Sequence, residues 1–391
     1  MTVDAASEIR RRAAALSSDG QDVEGPLEGY HHEAYAFRLP VENPLAAHSL
    51  RGKLRVPRPG LLWFDRRCFA SEDRLLIALQ GRVSGIPESA EIADGVFLQG
   101  FIEGRTLGGG ATSPRSLAAR HVTQLGRLFR ELTAIKPDEL DDIPRVPTLT
   151  GSSSVDSDSM DGDSADDDSM DGDSADDDSA GFLRGLIRFT EHEVYRRNAG
   201  VFGTLLSTLG VREQALAELS ESASGLGRRP FVLLHGDLHR KNLIVDPSGD
   251  LWFIDWELAM IGDPLYDLAT HLHLMHYTKR EEQQICEVWR EAVEYAKPGC
   301  SAHMGHDLPV LMAYKRVQSV ITDVIRTAEE IRAASEADER ALPDAARKVR
   351  RVLAAAQEQL GLTSVPSLHR VMAAYADWLE SSPRPHPEQH P

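Results

Sequence analysis

Apolar residues along the chain follow two regimes that change near residue 104. Before it, residues 50–56, 64–68 and 96–102 read as short extended runs, and the spacing of Leu75, Leu76 and Leu79 predicts a helix over 71–79. A small sheet with one helix follows from this. After it, Leu117, Leu125, Leu128 and Leu132 form a helical stripe for which Ser113 offers a cap and Pro114 suits the first turn. Further helices are predicted over 182–196, 281–296, 314–334 and 344–359. Between them, 231–234 reads as a buried strand. The apolar runs 243–245 and 251–254 are joined by Asp246-Pro247-Ser248-Gly249-Asp250, whose turn chemistry predicts an antiparallel hairpin. An α+β chain is expected, with a β-rich unit over 1–103, a larger and mainly helical unit over 104–380, and a Pro-rich disordered tail over 381–391.

Composition changes this picture at one place. The formal net charge is −18, but twelve Asp and no other charged residue fall between Ser152 and Ala180, so the rest of the chain is only mildly acidic. That stretch contains a ten-residue repeat, DSMDGDSADD, starting at Asp158 and again at Asp168. Like charges and almost no apolar residues predict a disordered surface insertion over 151–180. The order of a calcium loop, with a closing Glu, is not met. With 41% hydrophobic residues the remainder is expected to fold around a substantial core. Cys68, Cys286 and Cys300 have neither zinc nor disulfide-framework spacing, which fits a reducing cytoplasm. No apolar run has the length of a membrane span, no signal-like segment opens the chain, and the negative charge disfavours nucleic acid.

The candidate chemistry lies in residues 231–272, FVLLHGDLHRKNLIVDPSGDLWFIDWELAMIGDPLYDLATHL. If Val245 faces Leu251 in the hairpin, Asn242 falls opposite Ile254, and Asp255 follows one residue later. An amide oxygen and a carboxylate side by side suit magnesium, which takes few protein ligands and completes its shell with water and phosphate oxygens. Asp237, a short loop away, is placed to accept the hydrogen bond of a substrate hydroxyl and orient it toward a terminal phosphate. Phosphoryl transfer to an alcohol is the chemistry implied.

His235-Gly236-Asp237-Leu238-His239 with Asn242, then Ile254-Asp255-Trp256-Glu257, then Gly262-Asp263-Pro264 and Asp267-Leu268-Ala269, together resemble the signature of the aminoglycoside phosphotransferase and choline kinase superfamily. The resemblance implies a protein-kinase-like, two-lobed fold and an ATP- and Mg2+-dependent small-molecule kinase. It makes Asp237 the catalytic carboxylate, Asn242 and Asp255 the metal ligands, and Asp267, with His235, structural supports of the catalytic loop. Upstream, Lys53 is implied as the lysine that holds the ATP phosphates and Glu72 as its ion-pair partner, with Arg55 a rival on the same strand face. Residues 98–104 resemble the hinge between lobes, where backbone groups of Gln99 and Phe101 meet adenine. A glycine-rich phosphate loop has no counterpart in residues 28–35, which offer the single glycine Gly29.

Other features read as structural. His271, His273 and His276 are assigned to packing or surface because i and i+2 on a helix diverge, and Gly108-Gly109-Gly110 lacks the rest of a P-loop. Asp237-Leu238-His239 resembles a fragment of a two-metal phosphoesterase motif that nothing later completes. A non-catalytic pseudokinase is the other rival, on account of the poor glycine loop. Asp323 and Glu330 on the helix 314–334 would suit a hydroxylated acceptor that carries positive charge, and are equally what a solvated helix face shows.

Overall fold

The computed structural model describes residues 2–20, 22–27, 29–108, 117–147, 177–334 and 340–381. Most of the acidic insertion, Gly109 and Gly110, Ser113 and Pro114, and the tail after residue 381 lie outside them.

The extended run expected over 50–56 becomes strand β3. In chain order the first unit runs α1 (Thr2–Leu16), β1 (Val23–Glu24), β2 (His32–Arg38), β3 (Arg51–Pro57), α2 (Glu72–Leu79), β4 (Ser89–Ala93) and β5 (Val96–Gly100). The strands form one antiparallel sheet in the order β1-β2-β3-β5-β4. Tyr35, Phe37, Leu54 and Leu98 make its own small core together with Ala13 of α1. Helix α2 starts where Ser71 Oγ accepts from Arg74 N (3.2 Å) and buries Leu75, Leu76 and Leu79.

One expectation fails in this unit. Residues 64–68 are not a strand: they follow the Pro57-Arg58-Pro59-Gly60 break and wind through a loop that buries Phe64 and Phe69, with one bridge from Phe69 to Arg145. Residues 32–35 are the first part of β2, whose run Ala34-Tyr35-Ala36-Phe37 is buried between sheet and helix.

The second unit opens with β6 (Arg105–Thr106), followed by α3 (Ala119–Ala134), α4 (Ser179–Phe189), a π-helical turn (Thr190–Arg196), α5 (Ala199–Thr208) and α6 (Gln214–Ala223). Then come β7 (Val232–Leu234), β8 (Leu243–Val245), β9 (Leu251–Phe253), β10 (Met260–Gly262), α7 (Pro264–Met275), α8 (Lys279–Ala296), α9 (Met304–Ala333), α10 (Ala341–Ala355) and α11 (Leu368–Ser381). The acidic stretch ends in structure, since Asp178 caps α4 by accepting from Gly181 N at 2.9 Å. Helix α3 packs on α8, and α9 packs on both α7 and α10, around one large apolar core. The result is a β-rich small lobe and a mainly helical large lobe.

Short strands in the large lobe set the site. β8 and β9 pair with Val245 opposite Leu251 and Leu243 opposite Phe253, the register expected from the turn. β6 extends this hairpin on the other side of β8, so the chain leaving the small lobe is fixed to the hairpin that leads into Asp255. Gly104 permits that crossing: its φ is +151°, and a Cβ there would meet the Val245 carbonyl oxygen at 2.4 Å.

Candidate active site

Strand β7 delivers His235-Gly236-Asp237 to its end, and the turn needs glycine. Gly236 has φ +80°, and a Cβ would sit 2.4 Å from the Leu258 carbonyl oxygen. Asp267, in the first turn of α7, braces the same turn: its two carboxylate oxygens accept from His235 N (2.9 Å) and Gly236 N (2.7 Å). Burial pushes the Asp267 carboxyl up to about 6 even though both amides oppose this. His235 is fully buried with its ring 4.5 Å from Trp256, and burial drives its pKa down to about 4, so it stays neutral.

The loop after Asp237 folds back on it. Asn242 Nδ2 donates both to the Asp237 carbonyl and to its Oδ2, each at 3.0 Å. His239 Nδ1 accepts from Lys241 N (3.1 Å), which leaves the proton of a neutral ring on Nε2, 3.3 Å from Asp237 Oδ2. Burial opposes protonation of His239, but the Asp237 carboxylate outweighs it and the pKa rises. Asp237 is thus held by an amide and an imidazole.

Asn242 and Asp255 meet across the hairpin end, where Ile254 N donates to the Asn242 carbonyl (3.0 Å). Asp255 takes a left-handed backbone, φ +68°, a strained conformation for an aspartate that swings its carboxylate out of the strand line. Burial and the nearby carboxylates of Glu257, Glu72 and Asp237 push its carboxyl up to about 7, against the pull of Arg55. Such crowding of negative charge is what a divalent cation relieves. Because the Asn242 amide nitrogen is engaged by Asp237, its oxygen is the atom left for a metal. The donor set therefore fits magnesium. Among the described residues no group of three or more His, Cys, Asp and Glu forms a self-contained metal cage.

On the small-lobe side the structure redistributes the basic residues. Glu72 is buried and forms its ion pair with Arg55, not with the lysine assigned to it from sequence. Arg55 Nη2 also lies 3.8 Å from Asp255 Oδ1 and 3.9 Å from Glu257 Oε2. Lys53, two residues back on the same face, is lowered to about 8 by burial and by Arg55. Gln99 sits opposite Lys53 in the sheet, and its side chain donates to Asp73 (2.9 Å) and Glu72 (3.4 Å), locking α2 to β5. Phe101 N donates to the Arg51 carbonyl (2.9 Å), so of the two backbone groups of Phe101 the amide is already engaged.

Three features escaped sequence reasoning. Arg229 is fully buried between Asp263, the cap of α7, and Asp307 of α9, at 2.6 Å from each. No motif marks Arg229. Glu257 accepts from His31 of the small lobe, with His31 Nδ1 2.5 Å from Oε1, and His32 Nδ1 lies 3.2 Å from its Oε2. The acidic residues Asp323 and Glu330 are paired with Lys348 of α10 (3.5 and 3.4 Å), which explains them as helix-to-helix contacts. His271 is held by the Leu238 carbonyl and Tyr277 and His273 by Ser319, in keeping with packing.

Comparison with known proteins places these elements in a family. The model of the phosphotransferase enzyme family matches residues 54–297, more than half of the chain. Among solved structures, a macrolide 2'-phosphotransferase from Brachybacterium faecium is 16% identical, with 92% of this chain and 99% of that chain covered at a TM-score of 0.50. The aminoglycoside phosphotransferase APH(4)-Ia, as a thermostable mutant with AMP-PNP and hygromycin B, is 16% identical over 88% of this chain and 95% of that one, TM-score 0.49. A choline kinase from Streptococcus pneumoniae is 14% identical over 92% and 99%, TM-score 0.46. The first of these supports the protein-kinase-like fold. With the matched span running from β3 through the 235–242 loop, the β8–β9 hairpin and α8, the chain belongs to the phosphotransferase enzyme family, as a small-molecule kinase.

Proposed function

We propose that the protein transfers the γ-phosphoryl group of ATP, in the presence of magnesium, to a hydroxyl of a small molecule. The observation that carries this reading is the pairing of Asp237 with Asn242 at 3.0 Å, which sets the proposed catalytic carboxylate beside the Asn242–Asp255 pair. Magnesium held by Asn242 and Asp255 would neutralise phosphate charge and orient the terminal phosphoryl group. Asp237 accepts the hydrogen bond of the acceptor hydroxyl, while Asn242 and His239 fix its carboxylate in one rotamer. Asp267 keeps the turn beneath it rigid. The lobe boundary falls at residues 103 and 104, with adenine against the 99–101 segment and the acceptor on the helical side.

Asp323 and Glu330 share the single cation Lys348, so they serve a helix-to-helix contact and do not by themselves fix the acceptor's charge. A panel for testing should therefore span cationic amino alcohols and amino sugars as well as neutral sugars and macrolides. The expected result is magnesium-dependent ADP release with phosphorylated product for at least one acceptor class. ATP binding with no product across the whole panel would favour a binding protein instead.

Two variants test the nucleotide side. Asp255→Ala removes the only carboxylate proposed to hold the metal, and the apparent affinity for MgATP should fall about tenfold or more. Unchanged magnesium dependence would place the metal elsewhere. Because Arg55, rather than Lys53, carries the ion pair with Glu72, Arg55→Ala should raise the KM for ATP more than Lys53→Ala does. The reverse order would restore Lys53 as the main phosphate contact.

A further inference from the structure

The loop that leads into β2 has one glycine where a phosphate clasp would need several, yet it is firmly attached. Three consecutive side chains, Tyr30, His31 and His32, all reach the large lobe or the site. Tyr30 Oη donates to Glu329 of α9 (3.3 Å), and its ring lies 4.8 Å from the Arg326 guanidinium. His31 Nδ1 is 2.5 Å from Glu257 Oε1, and its ring stacks on Trp63 with centroids 3.8 Å apart and planes 16° from parallel. His32 Nδ1 is 2.9 Å from Arg55 Nη2 and 3.2 Å from Glu257 Oε2.

Hydrogen-bond chemistry divides the work between the histidines. Arg55 can only donate, so His32 Nδ1 accepts from it and cannot also donate to Glu257. A carboxylate can only accept, so His31 Nδ1–H is the donor to Glu257. His31 thus ties the small lobe to the metal segment, and His32 holds the arginine that pairs with Glu72. Without these rings, Glu257 keeps Arg55 as its nearby cation, at 3.9 Å, and would draw it from Glu72 and Asp255.

We infer that Tyr30-His31-His32 is a side-chain latch that closes the small lobe on Glu257 and α9 in place of a glycine-rich clasp, with His31 and His32 as positioning residues for the nucleotide site. The inference deepens the kinase reading and rests on it for the nucleotide. Closure is carried by protein-to-protein contacts, so the latch holds Glu257 and Arg55 in position beside Asp255. Loss of a hydrogen bond to a charged group is large enough to be seen as a change of about tenfold.

The test has a binding arm and a spectroscopic arm. In the binding arm, calorimetric titration with MgATP should show an affinity about tenfold weaker for His31→Ala/His32→Ala than for wild type. His31→Asn/His32→Asn, whose amides supply a donor at one position and an acceptor at the other, should recover most of the loss. In the spectroscopic arm, His31→Ala in the nucleotide-free protein should shift tryptophan emission to longer wavelength as Trp63 loses its stacked partner. The shift should vanish in a Trp63→Phe background. Tyr30→Phe keeps the ring and loses the bond to Glu329, so a smaller loss of affinity is expected. Wild-type affinity in the double alanine variant, or unchanged Trp63 emission on His31→Ala, would overturn the latch. Failure of the wild-type protein to bind MgATP would instead overturn the kinase reading, while the Trp63 signal would still report the loop contact.

Discussion

Replacing Asp237 with asparagine is expected to lower turnover by about a hundredfold to ten-thousandfold, the range that a positioned proton acceptor contributes. The substitution keeps the size of the side chain, and the Asn242 amide at 3.0 Å still finds an oxygen to donate to. What is lost is the negative charge that draws the acceptor hydroxyl into line and takes its hydrogen bond. His239, whose pKa is raised by that carboxylate against the effect of burial, should titrate at lower pH in the variant. Steady-state rates at saturating ATP and acceptor read the effect. Turnover within about fivefold of wild type would remove Asp237 from the chemistry.

The second large effect concerns stability. Arg229 has no exposed side-chain surface, and neither do Asp263 and Asp307, which it bridges; its Nη1 also donates to the Ala302 carbonyl at 2.8 Å. Asp263 additionally caps α7 through Leu265 N, and Asp307 accepts from Gly227 N. Arg229→Ala would remove the guanidinium that both buried carboxylates share, leaving Asp307 its contact with His306 at 2.7 Å and Asp263 without a cationic partner among the described residues. Breaking a buried ion pair in this way costs about 3–5 kcal/mol, and urea unfolding should show a loss of that size with little change in slope. A loss below about 1 kcal/mol would mean that water reaches the carboxylates once the arginine is gone. Activity below the unfolding midpoint should persist, because Asp267, not Asp263, touches the catalytic turn.

Much of the site was legible because it is local. Asp237, Asn242 and Asp255 lie within a few residues of one hairpin, and the turn at 246–250 fixes the register that brings them together. The same holds for Asp267, which α7 returns to the loop through a short connection. The small lobe was harder. Residues 64–68 carry apolar residues at a spacing that suits a strand, but they follow a Pro- and Gly-containing break and bury Phe64 and Phe69 from a loop. β2 was hidden because its buried run Ala34-Tyr35-Ala36-Phe37 has no alternation, being covered by sheet neighbours and α1 together. Lys53 and Arg55 share a face of β3, so only tertiary structure decides which of them reaches Glu72. Arg229 with Asp307, and His31 with Glu257, join residues 78 and 226 positions apart; no periodicity or motif encodes such pairs.

Calorimetric titration of the wild-type, Asp237→Asn and Asp255→Ala proteins with ATP, with and without magnesium, separates the two carboxylates most directly. The expected result is magnesium-dependent binding of equal strength in wild type and Asp237→Asn, with binding weakened about tenfold or more in Asp255→Ala. Magnesium-dependent binding of wild-type strength in Asp255→Ala, or its loss in Asp237→Asn alone, would contradict the division of roles between a metal-holding Asp255 and a hydroxyl-orienting Asp237.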